Sequence, residues 1–148
     1  MRSRGAYLGI RPEHTKADFA QAVYEGLGFE LRLVMERLLR GGEVRKIVAI
    51  GGGTKNGCWV QTKADILGMP MEIPATGEAA AVGAALLAGI GAGVYKDAGD
   101  AVRRTYRVAG TVYPRQEYSG LYEKMFRVYR ELYRELRLAY QRFEEVGV

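Results

Sequence analysis

The chain has 148 residues, of which 48% are hydrophobic and 26% are charged, with a formal net charge of +5; this allows one globular domain with a hydrophobic core and excludes a disordered chain. The single cysteine, Cys58, excludes an intramolecular disulfide, and with only one histidine, His14, the sequence argues against a zinc site. Because it contains no apolar stretch of membrane-spanning length and no nucleic-acid motif, we expect a cytoplasmic protein that binds neither nucleic acid nor membrane.

The first 45 residues predict a short strand and a long helix. The strand covers residues 7–10, and Thr15 with Asp18 three residues later forms a capping-box-like helix start. The helix ends at Gly41-Gly42. Its apolar positions recur at spacings of three and four: Phe19, Val23, Leu27, Leu31, Val34 and Leu38. Two glycines inside the helix mark close packing against another element: Gly26 and Gly28.

From residue 46 onward the pattern predicts two strand–helix units. A strand over residues 46–50 precedes a helix over residues 57–67 that ends at Gly68. A strand over residues 71–73 precedes an alanine-rich helix from Glu78 to about Gly91. Strands and helices that alternate at this spacing indicate parallel βαβ units and an α/β layer. The small residues on every face of the alanine-rich helix predict tight contact with a neighbour, which we expect to be the sheet.

The last third of the chain predicts a short helix near residues 98–103, two weak extended segments at 105–108 and 111–113, and one long helix from Tyr118. Apolar positions step by three and four along this last helix: Tyr122, Met125, Tyr129, Leu132, Leu136, Ala139 and Phe143. This spacing fits a terminal helix packed on its own domain, which we favour, and also permits a coiled-coil seam.

The most informative local feature is the glycine turn, Gly51–Gly53, directly after the strand at residues 46–50. Three residues without Cβ atoms let a ligand approach the backbone closely and make positive φ available. The backbone N–H groups at the start of the following helix lie where the helix dipole favours an anion. The glycine turn is therefore a candidate phosphate site, although the same residues also fit an ordinary strand-to-helix turn.

Two known nucleotide motifs can be compared with the glycine turn. A Walker A loop requires the pattern G-x-x-x-x-G-K-[S/T], which is absent from the sequence. A dinucleotide fingerprint fits in part, because Gly51 and Gly53 supply its first two glycines and Glu72 ends the next strand where a ribose-binding acid belongs. Asn56 stands in place of its third glycine. A dinucleotide-binding domain remains an alternative.

Several segments occur in the order that is typical of one family: Gly5–Ile10, Asp18–Glu25, Gly51–Gln61, Ala64–Gly68, Glu78–Ala85 and Val112–Pro114, the last followed by a tyrosine-rich helix. In this combination the chain resembles the C-terminal domain of the FGGY carbohydrate kinases, in particular the xylulokinase-like branch that acts on pentuloses. The resemblance covers nearly the whole chain.

The resemblance implies an α/β domain of the ribonuclease H-like, actin-like ATPase fold that lacks its first strands and has a long C-terminal helix. Residues 1–148 would form a single nucleotide-binding domain, with the terminal helix at residues 116–146 packed on it. In this family two such domains close around a cleft. ATP lies mostly on the C-terminal domain and the sugar mostly on the N-terminal one.

The family's nucleotide contacts can be carried over to matching residues. Gly51, Gly52 and Gly53 would contact the phosphates of ATP, bound with Mg²⁺. Asn56 occupies a position where a family asparagine contacts the nucleotide, and Thr54 would add a hydroxyl. No residue of this chain matches the family's catalytic aspartate, which lies in the N-terminal domain, so we assign neither a catalytic residue nor a metal ligand here.

Five other residues have simpler interpretations from the sequence. Asp18 is expected to be a helix-start acid and Asp65 a solvated helix residue. Cys58 is expected on the buried side of its helix and Trp59 in the core. Gly83 would permit contact between its helix and the sheet near the nucleotide.

The implied partner is an N-terminal FGGY kinase domain, encoded in the same gene or as a separate subunit, which would supply the sugar site. The chain alone is expected to be inactive, whether it is an excised piece, a subunit or a truncated relic. A non-enzymatic module that senses nucleotide or assembles into a homo-oligomer remains a second alternative.

Overall fold

The computed structural model describes residues 5–39 and 41–146. Within these ranges, helices and strands follow one another in this order: α1 (Lys16–Leu39), β1 (Ile47–Val48), a 3₁₀ turn (Gly52–Lys55), α2 (Gly57–Leu67), β2 (Met71–Pro74), α3 (Ala79–Gly91), α4 (Ala98–Thr105), β3 (Val108–Val112) and α5 (Gln116–Glu145). The bounds of α2 are those predicted, because Asn56 caps its start and Gly68, at φ 65°, ends it.

The three strands form one sheet in the order β1-β2-β3. β1 is parallel to β2, with Ile47 opposite Met71, so β1–α2–β2 is the parallel βαβ unit that the alternation predicts. β2 and β3 are antiparallel. The prediction of two separate extended segments at 105–108 and 111–113 is wrong, because Gly110 remains in register opposite Ile73 and makes the segment one strand.

Helix α2 lies between two hydrophobic clusters and joins them. On one side it packs with α1 and α5 through five buried side chains: Phe29, Leu33, Ile66, Tyr122 and Phe126. On the other side it packs on the sheet through Val60, Ala64 and Met71. Gly28 is where α1 approaches α2 most closely, since a Cβ there would lie 2.6 Å from Ile66 Cδ1. The close packing predicted at Gly28 is confirmed.

The apolar stripe predicted for α1 does not form its buried face. Four of its six members are more than 40% exposed: Val23, Leu27, Val34 and Leu38. The helix instead buries Gly28, Phe29 and Leu33, which lie on another face of α1. A Cβ at Gly26 would meet no atom within 4 Å, so the close packing predicted there is also wrong. The reason is that α2 packs at Gly28, which turns the predicted stripe away from the core.

The helix start at Thr15 and Asp18 is confirmed. The backbone N–H and the hydroxyl of Thr15 both donate to Asp18 Oδ2 at 2.7 Å. These two bonds, the backbone one first, hold the pKa of the Asp18 carboxyl below its usual value. The helix ends at Leu39, and Gly41 follows with a φ of 88°.

Two of the predicted strands differ from the structure. Residues 7–10 are exposed and form no strand, because Tyr7 packs edge-on against Phe19 of α1 instead of beside a strand. The strand predicted over residues 46–50 is reduced to β1, although the Ala49 amide still donates to the Glu72 carbonyl at 2.8 Å.

Helix α3 does not pack on the sheet as predicted. Its neighbour is α4, and none of its residues is buried. A Cβ at Gly83 would meet no atom within 4 Å, so this glycine does not mediate contact with the sheet. The tight contact of α3 occurs at Gly89 instead, where a Cβ would lie 2.6 Å from the ring of Tyr95.

The start of α5 is anchored by Asp65, whose side chain is completely buried. Its carboxylate accepts hydrogen bonds from the backbone N–H of Arg115 at 2.7 Å, from the Arg115 guanidinium at 2.7 and 3.0 Å, and from Gln61 at 2.8 Å. The prediction of a solvated Asp65 is therefore wrong. The Arg115 that binds this carboxylate is 50 residues away in the sequence.

Within the described ranges, no helix is long and apolar enough to cross a membrane.

Candidate functional site

The glycine turn lies directly after β1 and before α2. In open α/β sheets, ligands bind outside the carboxyl ends of the parallel strands, which is where this turn lies. Gly51 has a φ of 86° and precedes the 3₁₀ turn Gly52–Lys55. Gly51 and Gly52 are exposed, and Gly53 is half-buried. The backbone of the glycine turn is therefore accessible to a ligand.

Internal hydrogen bonds keep the glycine turn in this shape. The backbone N–H and the hydroxyl of Thr54 both donate to the Gly51 carbonyl, at 3.1 and 2.8 Å. The backbone N–H of Asn56 donates to the Gly53 carbonyl at 3.1 Å. The first amides of a helical turn have no acceptor inside it, and among the described residues no backbone–backbone hydrogen bond outside the regular helices and strands uses the Gly52 or Gly53 amide. These two N–H groups can therefore serve an anion.

Each glycine of the turn has a different steric environment. Gly51 needs positive φ, which other residues adopt only with strain. Gly53 lies against the indole of Trp59, and a Cβ there would be 2.7 Å from Cζ3 of that ring. A Cβ at Gly52 would meet no atom within 4 Å, and its φ is not in the positive range. The fold itself therefore requires glycine at positions 51 and 53 but not at 52.

The side chains of Asn56 and Thr54 are already used within the site. Asn56 Oδ1 accepts the Trp59 amide at 3.1 Å and so caps α2, while Asn56 Nδ2 donates to the Tyr24 hydroxyl at 2.9 Å. One N–H of the Asn56 amide group is left for a ligand. The Thr54 hydroxyl donates its proton to Gly51, which leaves only its acceptor capacity.

The structure also places two residues at the glycine turn that the sequence did not predict there. Trp59, expected in the core, is half-buried beneath Gly53, and the ring of Tyr24 from α1 lies nearly parallel to its indole, with centroids 6.1 Å apart. Lys63 Nζ lies 4.0 Å from the centroid of the indole, and burial lowers the pKa of this lysine.

Cys58, predicted on the buried side of α2, is exposed. It precedes Trp59, and the turn of the helix that buries Val60 leaves it in solvent.

Glu72, the acid of the dinucleotide alternative, is occupied within its own sheet. Its carboxylate forms an ion pair with Lys46 at 2.5 Å and accepts the Tyr106 hydroxyl at 2.9 Å. The hydrogen bond from Lys46 is the main reason why the pKa of Glu72 is lowered. Both contacts are made through Oε2 and tie the carboxylate to neighbouring parts of its own fold, which gives Glu72 a structural role that needs no dinucleotide.

The donor groups of the site fit phosphate rather than a metal ion. Backbone amides and the Asn56 amide group donate hydrogen bonds, and Lys55 adds an exposed positive charge nearby. In residues 5–39 and 41–146, no group of three His, Cys, Asp or Glu residues is arranged to hold a metal. Mg²⁺ prefers carboxylate and phosphate oxygens, so any Mg²⁺ at this site would depend on ligands from the nucleotide.

Comparison with known proteins identifies the family. Residues 1–92 match the family described as "FGGY family of carbohydrate kinases, C-terminal domain". The chain belongs to the FGGY family. It is 37% identical over 133 residues to the xylulose kinase of Staphylococcus epidermidis, covering 89% of this chain and 27% of that protein. It is 34% identical over 117 residues to the glycerol kinase of Myxococcus xanthus, covering 78% of this chain and 23% of that protein.

Solved structures agree with this assignment of the FGGY domain. The ligand-bound xylulose kinase of Lactobacillus acidophilus superposes with a TM-score of 0.86 at 25% identity, over 95% of this chain and 29% of that chain. The actin-like ATPase fold and the xylulokinase-like resemblance predicted from the sequence are confirmed. The FGGY domain spans about a quarter of the length of the kinases that it matches.

Proposed function

We propose that this FGGY domain is the nucleotide-binding half of an ATP-dependent carbohydrate kinase. The complete kinase transfers the γ-phosphoryl group of ATP to a hydroxyl of a ketose or polyol, with xylulose as the model acceptor. The observation that carries the proposal is the exposed glycine turn at the carboxyl end of β1, with two amides free to bind phosphate. We also propose that the kinase acts in the cytoplasm, which is the location expected from the sequence.

The proposed roles follow from the geometry of the site. The backbone N–H groups of Gly52 and Gly53 bind phosphate oxygens. Gly51 supplies the positive φ on which the shape of the turn depends. Asn56 uses its remaining N–H toward the nucleotide, and Thr54 acts mainly by fixing the shape of the turn through Gly51. Mg²⁺, when bound with ATP, neutralises charge on the phosphates.

The remaining parts of the reaction lie outside this domain. Phosphoryl transfer needs a group that accepts the proton of the attacking hydroxyl. None of the residues at the glycine turn is a carboxylate, and we assign the base and the sugar site to an N-terminal FGGY domain. Kinases named for xylulose and for glycerol both match this chain. We infer that this domain serves the nucleotide and that its partner selects the acceptor.

The test combines binding with reconstitution. Calorimetry should show that the 148-residue chain binds MgATP and not NAD. Phosphorylation of xylulose should appear only when an N-terminal FGGY domain is supplied as a second polypeptide. Turnover by this chain alone would contradict the division of roles, and binding of NAD without binding of ATP would contradict the nucleotide assignment.

A further inference from the structure

Trp59 lies directly beneath the glycine turn. A Cβ built on Gly53 would be 2.7 Å from Cζ3 and 3.1 Å from Cε3 of Trp59. The six-membered ring of the indole therefore contacts the backbone of Gly53 where a side chain would otherwise be. A turn of three glycines has no side chains of its own with which to hold its position, so this contact is its packing support.

Contacts from two helices hold the indole in place. The ring of Tyr24 in α1 stacks on it with an angle of 16° between the planes. The hydroxyl of the same Tyr24 accepts a hydrogen bond from Asn56, whose Oδ1 in turn accepts the Trp59 amide. Lys63, one helical turn after Trp59, places its ammonium over the indole. Tyr24, Asn56 and Trp59 thus form a closed set of contacts around the base of the glycine turn.

The indole N–H indicates that Trp59 does more than fill space. Trp59 Nε1 is buried, and it has no hydrogen-bond partner among the residues that the structure describes. An unpaired buried donor is unfavourable, and a leucine or phenylalanine could fill an apolar gap without it. The feature that distinguishes tryptophan here is the reach of its second ring to Gly53.

We propose that Trp59 is a positioning residue for the phosphate site and that Tyr24 holds its indole against the glycine turn. This inference rests on the proposed function, since it concerns the same site. A turn that is held in its binding conformation before the ligand arrives loses less conformational entropy on binding. Without the support, the N–H groups of Gly52 and Gly53 would still be present, but the turn would adopt several conformations.

The test uses the full chain and compares variants of the support with a matched core variant. Trp59→Leu removes the indole, and Tyr24→Leu removes the stacked ring from the other helix. Phe126→Leu is the control, because Phe126 is 1% exposed in the α1–α2–α5 cluster and does not contact the glycine turn. MgATP affinity is measured by calorimetry, and the amide signals of Gly51–Gly53 are followed by NMR in the absence of nucleotide.

We expect Trp59→Leu to weaken MgATP binding about tenfold and to shift or broaden the Gly52 and Gly53 amide signals without nucleotide. Tyr24→Leu should do the same to a smaller extent. Phe126→Leu should lower the unfolding temperature and leave both readouts unchanged. Because Tyr24 acts from a different helix, its variants decide the question if Trp59→Leu does not fold. Tyr24→Phe keeps the stacked ring and loses only the hydrogen bond from Asn56, so it should weaken MgATP binding less than Tyr24→Leu; equal losses would contradict the role of the ring.

The outcomes separate this inference from the function on which it rests. If the wild-type chain binds MgATP and the two support variants bind it equally well with unmoved amide signals, the positioning role is wrong and the nucleotide site stands. If the control variant weakens binding as much as Trp59→Leu, the effect is general loss of stability and the inference is also wrong. If the wild-type chain does not bind MgATP, both the site and the inference fall.

Discussion

Gly52 distinguishes a phosphate site from an ordinary strand-to-helix turn. The fold accounts for Gly51 through its φ of 86° and for Gly53 through its contact with Trp59. It does not account for Gly52, because a Cβ there would project into open space. A ligand that lies against the backbone at this position would account for the third glycine. The substitution Gly52→Ala tests this directly.

We expect Gly52→Ala to weaken ATP binding without destabilising the protein. Since the native φ of Gly52 suits alanine, the substitution should raise the free energy of unfolding by about 0.4–1 kcal/mol through the unfolded state. A methyl group between the phosphate and the amides would remove at least one charge-assisted hydrogen bond, which is worth about 1.5–3 kcal/mol. That loss corresponds to a roughly 10- to 100-fold weaker Kd.

The assay pairs urea denaturation with calorimetric titration of MgATP. Gly120→Ala is the matched control, because Gly120 lies in α5, far along the chain from the turn, and a Cβ there also meets no atom within 4 Å. It should raise stability by about 1 kcal/mol and leave the Kd unchanged. If Gly52→Ala binds MgATP as tightly as wild type, phosphate does not lie against Gly52 and the reasoning is wrong.

Two further predictions concern ion pairs of the fold. Asp65→Ala should lower the free energy of unfolding by about 1–3 kcal/mol, because it leaves the part-buried backbone N–H of Arg115 without its acceptor while the half-exposed guanidinium turns to water; an unchanged urea midpoint would contradict it. Lys46→Met should return the pKa of Glu72 toward 4.5. Because that pKa is lowered in the folded state, the pair stabilises fully above 4.5 and is lost as the pH falls through the lower folded value. The variant should therefore lose less stability on acidification than wild type, as thermal unfolding at several pH values would show, and parallel curves would refute this.

Local signals were sufficient wherever a helix boundary depends on residues next to it. Asn56 and Gly68 define α2 through a side-chain cap and a left-handed residue, both of which act within a few residues. Thr15 and Asp18 define the start of α1 in the same way. The family resemblance added the fold, since ordered segments along most of the chain carry information on tertiary structure that no single motif carries.

Burial could not be predicted where two choices have the same local pattern. Helix α1 carries apolar residues on more than one face, and the regularly spaced stripe that includes Val23 and Leu27 is largely exposed, whereas Phe29 and Leu33 are buried. What decides between them is the absence of a side chain at Gly28, which allows Ile66 of α2 to approach. Spacing along one helix says nothing about which face a distant helix will cover.

The alanine-rich helix shows the converse error. Small residues permit close approach but do not require it, and α3 buries none of its residues in this structure. Asp65 failed as a prediction for a related reason. A carboxylate on a helix is usually solvated, and only the fold brings Arg115 to it across 50 residues of sequence.

One part of the candidate site could be predicted from the sequence and another part could not. The glycine turn could be predicted because its chemistry is that of the backbone, and backbone geometry follows from which residues lack a Cβ. The support beneath it could not, because Tyr24 and Trp59 are 35 residues apart and meet only when α1 packs on α2. This difference separates two kinds of evidence for function. A binding test on Gly52 examines what the local sequence specifies, whereas a test on Trp59 examines what tertiary packing adds to it. Agreement of the two would mean that the fold holds these amides for phosphate, and a positive result at Gly52 alone would mean that the three glycines suffice.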